Sequence, residues 1–202
     1  TIGLASCKQT NPNITPSTTL DGAGATFPQP LYTKWFDEYY KATGIKINYQ
    51  GIGSGGGITA ITNGTVDFGA SDGIMTADQE AAATAVNGPV LHIPMTSGAT
   101  AIIFNVPGVT ALKLTGDVLA DIYLKKIVKW NDARITASNP GTTLPGMDIA
   151  VVHRSDSSGT TYIFTNYLSK VSTDWATKVG NATAVQWPGD IGGEKSAGVA
   201  AQ

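Results

Sequence analysis

The chain has 202 residues, 42% of them hydrophobic, so it is long enough to bury one large core or two small ones. Its formal net charge is −2 and only 14% of its residues are charged, which gives no indication of nucleic acid as a partner. Two histidines and one cysteine argue against a metal site, and no apolar run approaches the roughly 18 residues of a membrane span.

The single cysteine ends the run Leu4-Ala5-Ser6-Cys7, which resembles the bacterial lipobox, where a signal peptide is cut before a cysteine that then carries lipid. A polar, proline-bearing stretch follows and predicts a flexible tether. We therefore expect residues 1–6 to be a signal-peptide remnant and residues 7–19 to be a lipidated Cys7 with its tether. The alternative is a stray cysteine in a frayed terminus.

The first predicted helix follows the small-residue stretch 21–28. Two prolines suit its first turn, and apolar residues recur every four positions on one face until Gly44 ends it. The backbone N–H groups near Thr26 and Phe27 would then lie at a helix N-terminus, where they have no partner within the helix.

A glycine-rich loop, residues 51–57, follows the strand predicted at 45–49 and precedes a short helix predicted over 58–63. Its glycines match the dinucleotide fingerprint G-x-G-x-x-G. Against a nucleotide site, the helix is short and no lysine follows it. The next strand, at 66–70, also ends in a second small-residue turn sooner than the usual ribose-binding acid. A lone match of this kind is weak.

The middle of the chain predicts a helix over 76–85, capped by Thr76, and two apolar strands at 90–94 and 99–104. The four residues between these strands are a plausible crossover between two domains. His92 lies in an apolar run, so we expect a core residue rather than a catalyst.

The second half predicts a helix within residues 114–130 that ends in a lysine cluster, interpreted as a solvated helix end. A buried strand at 149–152 then runs into the hydroxyl- and glycine-rich turn 154–161, which opens a helix. Unpaired N–H groups, the helix dipole and one arginine make this turn a candidate oxyanion cradle. The alternative is an ordinary N-capped helix with a surface arginine.

Four separated motifs stand in one order along the chain, and Trp130-Asn131-Asp132 accompanies them. The motifs are Gly22-Ala23-Gly24-Ala25-Thr26-Phe27-Pro28, Gly51-Ile52-Gly53-Ser54-Gly55-Gly56, Asp67-Phe68-Gly69-Ala70-Ser71-Asp72 and Arg154 to Thr160. Together they closely resemble the periplasmic phosphate-binding proteins of bacterial ABC importers, from Leu20 to the end.

The resemblance implies an α/β, two-domain Venus-flytrap fold of type II. It implies a first domain in residues 20–95 and part of a second in residues 96–202. Because that family continues past this point and returns to its first domain, we expect a C-terminally truncated fragment.

The resemblance also implies which residues bind phosphate. Thr26 and Phe27 would give backbone N–H groups, Asp72 a carboxylate acceptor and Arg154 a charged fork, while Asp156 would hold that arginine in place. The full implied set is Thr26, Phe27, Ser54, Asp72, Arg154, Ser158, Gly159 and Thr160.

The function that this resemblance implies is high-affinity capture of inorganic phosphate, as HPO₄²⁻ or H₂PO₄⁻, in the cleft between the domains, with delivery to the membrane permease of an ABC importer. We expect a monomer without enzymatic activity or cofactor. We expect it to be exported to the periplasm or cell surface and to contact the membrane through its lipid anchor only.

Asp72 decides between phosphate and other tetrahedral anions. Phosphate near neutral pH keeps a proton that a carboxylate can accept, whereas sulfate has none and would face unrelieved repulsion. Mismatched hydrogen bonding of this kind can discriminate by roughly 10⁴- to 10⁵-fold.

Two functions from another class stay open as alternatives. A dinucleotide-dependent enzyme built on residues 51–56 would leave the arginine turn unexplained. A phosphate-ester hydrolase would need metal ligands or an activated nucleophile, and His92 and His153 are too few and badly placed. The nucleophile elbow G-x-S-x-G is also missing, since Ile52 holds the position of its first glycine.

Overall fold

The computed structural model describes residues 19–202, so Cys7, the expected signal-peptide remnant and most of the tether lie outside the described residues. Within that range it has five strands and eight helices. In chain order they are β1 (Thr19–Gly24), α1 (Gln29–Thr43), β2 (Lys46–Gly51), α2 (Ser54–Thr62), β3 (Phe68–Ala70), α3 (Ala77–Asn87), α4 (Gly116–Tyr123), α5 (Ala133–Ser138), β4 (Val152–Arg154), α6 (Gly159–Val171), α7 (Thr173–Lys178), β5 (Ile191–Gly193) and α8 (Lys195–Ala200). The division into domains at residues 95 and 96 stays a prediction.

The first sheet has three parallel strands in the order β2-β1-β3. β1 pairs with β2 along its whole length, and its second half also pairs with β3. Since the carboxyl ends of parallel strands meet at one edge of a sheet, the segments that follow them lie side by side. These segments carry Thr26, Ser54 and Asp72, which places three of the predicted site residues at one edge.

The second sheet has two parallel strands, β4 and β5, in which Arg154 lies opposite Gly193. Two apolar clusters support it. One joins α4 and α5 to the chain before β4, and the other packs α6 and α7 against α4. The first contains Val106, Val109, Val118, Ile122, Ile127, Ile135, Leu144, Ile149 and Val151, and the second Leu119, Ala120, Phe164, Leu168 and Trp175.

Helix ends that were predicted from local sequence signals are confirmed. α1 ends at Gly44, which has the left-handed φ of 74° that glycine adopts without strain. α3 begins with a capping box, in which Thr76 and Gln79 bond each other's backbone N–H groups. In contrast, α6 begins inside the turn predicted at 154–161: it follows Ser158, whose hydroxyl accepts a hydrogen bond from the Thr161 N–H.

Two predicted boundaries are wrong. α2 begins at Ser54 and not at residue 58, because the glycine loop itself forms the first helical turn, with the Gly57 N–H bonded to the Gly53 carbonyl. The strand predicted at 149–152 is β4, which begins at Val152 where β5 becomes available as a partner. Arg154 is therefore the last residue of a strand and not part of the turn.

The strands predicted at 90–94 and 99–104 are also wrong, since neither segment is in a strand. An apolar segment forms a buried strand only if a neighbouring strand is present to pair with it. In the described part of the chain these side chains are largely exposed, Leu91 by 80% and Ile103 by 68%. His92 is exposed as well and lies 3.5 Å from the carboxylate of Glu80, so its prediction as a core residue is wrong.

No helix within residues 19–202 combines the length and the apolar character needed to cross a bilayer.

Leu168 tests the packing that supports the start of α6. Its side chain is fully buried in the cluster with Trp175, so Leu168→Ala removes apolar burial and leaves a cavity. We expect a loss of about 2–5 kcal/mol in the free energy of unfolding. Urea denaturation followed by tryptophan fluorescence measures it. Ile163→Ala, on the same helix but 42% exposed, is the control and should cost less than about 1 kcal/mol; equal losses would contradict the packing.

Candidate anion-binding site

Arg154 is the central residue of the site and is only 8% exposed. Its Nε donates to Asp156 Oδ1 at 2.6 Å and its Nη2 to Asp156 Oδ2 at 2.5 Å. This bidentate pair fixes the plane of the guanidinium group. Nη1 is not held by Asp156, and it points to Ser196 Oγ at 3.4 Å. The pair therefore leaves one nitrogen of a buried cation for another acceptor.

Asp156 remains charged in this environment. Its burial favours the neutral acid, but hydrogen bonds from Arg154 and from the Lys195 N–H, at 3.0 Å, bring the net pKa of Asp156 below its usual value. The carboxylate thus orients the arginine and at the same time anchors the loop between β5 and α8. Its predicted role as the partner of Arg154 agrees with these contacts.

The start of α6 lies against the edge of the first sheet. A Cβ atom on Gly159 would lie 2.5 Å from Ser54 Oγ and 2.6 Å from Asp72 Cβ, so glycine is required by this close approach. Ser54 and Ser158 are both almost fully buried. The two sheets consequently bring their predicted site residues into direct contact.

Asp72 lies among hydrogen-bond donors. Its Oδ2 accepts from Thr160 Oγ1 at 3.3 Å, and its own N–H donates to Ser54 Oγ at 3.2 Å. Burial raises the pKa of Asp72, and the opposing effects of the Thr160 hydroxyl and the Arg154 charge are too small to cancel this. The result is a carboxylate for which an additional hydrogen-bond donor would be favourable.

Thr26 and Phe27 lie just before α1, whose capping residue is Pro28. The Thr26 hydroxyl is 2.9 Å from Ser196 Oγ, and either atom can be the donor. The Phe27 side chain is 43% exposed and its ring lies close to Gly98. If Phe27 contributes to the site, it does so through its backbone N–H.

The glycine loop packs against the arginine turn. Gly53 has a left-handed φ of 86°, and a Cβ atom there would lie 2.7 Å from the Ser157 carbonyl oxygen and 2.8 Å from Asp156 Oδ2. The Gly55 N–H donates to that same carbonyl at 3.3 Å. Because protein atoms occupy this face of the loop, the contacts do not favour a dinucleotide cradle.

Sequence reasoning missed two residues that contact the site, Ser157 and Ser196. Ser157 supplies the carbonyl that holds the glycine loop, and Ser196 joins Thr26 to Arg154. The signal available for Ser196 was the pair Gly192-Gly193 at the end of β5, which resembles the small-residue stretches of the other motifs. Across residues 19–202 no group of three His, Cys, Asp or Glu side chains is placed to hold a metal ion.

The arrangement suits a tetrahedral oxyanion that carries one proton. Arg154 Nη1, the Thr26 hydroxyl and nearby backbone N–H groups can donate, and Asp72, which already accepts from the Thr160 hydroxyl, can accept again. Helix dipoles and polarised N–H groups supply positive potential with little net protein charge.

A family model described as a PBP superfamily domain matches residues 10–201. The phosphate-binding protein PstS of Pasteurella multocida is 52% identical over 189 residues, which are 93% of this chain and 54% of that protein. The PstS of Xylella fastidiosa (strain Temecula1) is 49% identical over 188 residues, 92% of this chain and 50% of that protein. The chain thus spans about half the length of the curated relatives that it matches.

The fold is similar to a solved structure from Clostridium perfringens, a candidate phosphate ABC transporter substrate-binding protein with bound phosphate. The TM-score is 0.61 at 17% sequence identity, with 91% of this chain and 65% of that chain covered. At this identity the likeness concerns the fold alone. The family match over nearly the whole sequence, and two parallel sheets that meet at the arginine turn, lead to one conclusion: this chain belongs to the PBP superfamily.

Proposed function

We propose that this chain is the phosphate-binding part of a receptor that serves an ABC-type phosphate importer. The observation that carries the proposal is the position of Asp72, a half-buried carboxylate that accepts a hydrogen bond from Thr160 and is subject to the positive charge of Arg154. A site built for any anion would contain donors only. A carboxylate in it selects an anion that brings its own proton, and inorganic phosphate does so near neutral pH.

The relatives support the same ligand. The proteins from Pasteurella multocida and Xylella fastidiosa are named as phosphate-binding proteins, and the fold neighbour from Clostridium perfringens was solved with bound phosphate. Because this chain spans about half of the curated relatives, its activity and partners as part of a whole protein belong to this proposal.

In the proposed mechanism, Arg154 supplies the charge and its Nη1 bonds one phosphate oxygen, while Asp156 keeps the guanidinium oriented. The N–H groups of Thr26 and Phe27 and those at the start of α6, with the Ser54, Ser158 and Thr160 side chains nearby, provide neutral donors. Asp72 accepts the phosphate proton. Pre-oriented donors bind a dehydrated anion without a large cost of rearrangement at the moment of binding.

The proposed role is reversible capture and release to a membrane permease, without chemical conversion of phosphate. The protein would be exported and monomeric, with Cys7 as its lipid anchor. That anchor lies outside the described residues and rests on the lipobox resemblance alone.

Arg154 tests the donor side of the site. Arg154→Ala removes the buried positive charge and a charge-assisted hydrogen bond, so phosphate affinity should fall by more than about tenfold. Isothermal titration calorimetry with phosphate measures it. Arg134→Ala is the matched control, because Arg134 is an exposed arginine on α5 that pairs with Asp121. If both variants bind phosphate like the wild type, Arg154 is not in the site.

Asp72 tests selectivity. Asp72→Asn removes the negative charge that repels sulfate and adds an amide donor, so the preference for phosphate over sulfate should fall by about tenfold or more. A competition titration of bound phosphate with sulfate reports this ratio. Asp78→Asn, at an exposed carboxylate in the first turn of α3, removes the same charge outside the site. Unchanged exclusion of sulfate in Asp72→Asn would count against its role as proton acceptor.

A further inference from the structure

We infer that Ser196 is a further ligand of the anion: its hydroxyl donates to a phosphate oxygen beside Arg154 Nη1. The inference rests on the phosphate-binding function proposed above and adds a residue to it. Neither the sequence motifs nor the family resemblance pointed to this serine.

The backbone around Ser196 is fixed to the arginine turn on two sides. The Ser155 N–H donates to the Gly193 carbonyl at 3.0 Å, and the Lys195 N–H donates to Asp156 Oδ1 at 3.0 Å. The carboxylate that orients Arg154 therefore also sets the position of Ser196. The serine is part of the same rigid arrangement as the guanidinium group.

The Ser196 side chain occupies the space between two predicted ligands. Its Oγ lies 2.9 Å from Thr26 Oγ1 and 3.4 Å from Arg154 Nη1. Thr26 follows β1 and Ser196 lies in the first turn of α8, just after β5, so this hydroxyl connects the carboxyl edges of the two sheets. It is exposed to solvent in the described chain, and an incoming ion can therefore reach it.

The direction of these hydrogen bonds leaves the Ser196 proton available. A guanidinium group can only donate, so Arg154 Nη1 uses a lone pair of Ser196 Oγ and not its proton. Accepting a bond from a cation polarises the hydroxyl and makes it a better donor. Rotation about one bond would turn the O–H from Thr26 to an oxyanion placed beside them both.

A hydroxyl donor at this point also matches the number of acceptor oxygens that the phosphate ion offers. Monohydrogen phosphate, HPO₄²⁻, offers three oxygens that only accept, and Asp72 uses its single O–H. Thr26, Ser196 and Arg154 Nη1 form a continuous row of hydrogen-bonding groups, while Asp72 accepts from Thr160.

Three variants test the inference in the intact protein: Ser196→Ala removes the hydroxyl, Ser196→Thr keeps it, and Ser138→Ala removes a hydroxyl of α5 that donates to the Arg134 carbonyl of its own helix. Calorimetric titration with inorganic phosphate should show affinity about tenfold weaker for Ser196→Ala, the size expected of a lost bond to a charged ligand. Affinity should stay within about threefold of the wild type for Ser196→Thr and be unchanged for Ser138→Ala.

Thermal unfolding separates a ligand from a structural link between the sheets. For a ligand, Ser196→Ala should leave the Tm without phosphate close to that of the wild type and reduce the increase in Tm that phosphate produces. A lower Tm without phosphate together with an unchanged phosphate-induced increase would overturn the inference.

The outcomes distinguish this inference from the proposed function. If the wild type binds phosphate and Ser196→Ala binds it within twofold, Ser196 is not a ligand and the phosphate site stands. If the wild type itself gives no binding heat or Tm increase with phosphate, the proposed function fails, and the inference fails with it.

Discussion

The ion pair between Arg154 and Asp156 is the interaction on which the site depends. A nearly buried guanidinium group loses most of its hydrogen bonds to water. Here a single bidentate carboxylate replaces them. Asp156 does so while also accepting from the Lys195 N–H and lying against Gly53. One carboxylate thus joins the end of β4, the loop after β5 and the glycine loop after β2. Loss of one partner from such a buried pair typically costs about 3–5 kcal/mol.

The parallel strands explain why residues far apart in sequence meet at that ion pair. The segments that follow the strands of both sheets meet at the carboxyl edges: Thr26, Asp72 and Asp156 lie in loops there, and Ser54 and Ser196 lie in the first turns of α2 and α8. Close approach of the two edges requires small residues, and Gly53 and Gly159 stand where any side chain would collide with the other sheet's loop. The abundance of glycine in this chain is therefore linked to the site and not only to turns.

Features encoded by neighbouring residues could be predicted from the sequence. The end of α1 at Gly44 and the cap of α3 at Thr76 each depend on three or four consecutive positions. The four glycine- and hydroxyl-rich motifs likewise lie in segments that the fold brings close together. In contrast, residues 90–104 could not be predicted, because an apolar segment becomes a strand only when another strand pairs with it.

Ser196 could not be predicted for a related reason. A serine after two glycines has many ordinary explanations, and its significance comes from contacts with Thr26, 170 residues earlier, and with Arg154. The start of α2 could not be predicted either, because the glycine loop could have stayed irregular or formed the first turn of a helix. Long-range packing decides such cases, and local propensity carries little information about it.

The Asp72 carboxylate illustrates how a selective site can reduce the stability of its own fold. Burial raises its pKa above that of the unfolded chain, so its ionisation destabilises the folded protein, and this penalty appears as the pH rises from below the unfolded pKa through the folded pKa. The penalty is fully present at every pH above the folded pKa. A ligand that donates a proton to Asp72 relieves it, whereas an anion without a proton increases it. The energy that the unliganded protein loses by keeping this carboxylate buried therefore becomes a difference in affinity between protonated and unprotonated anions.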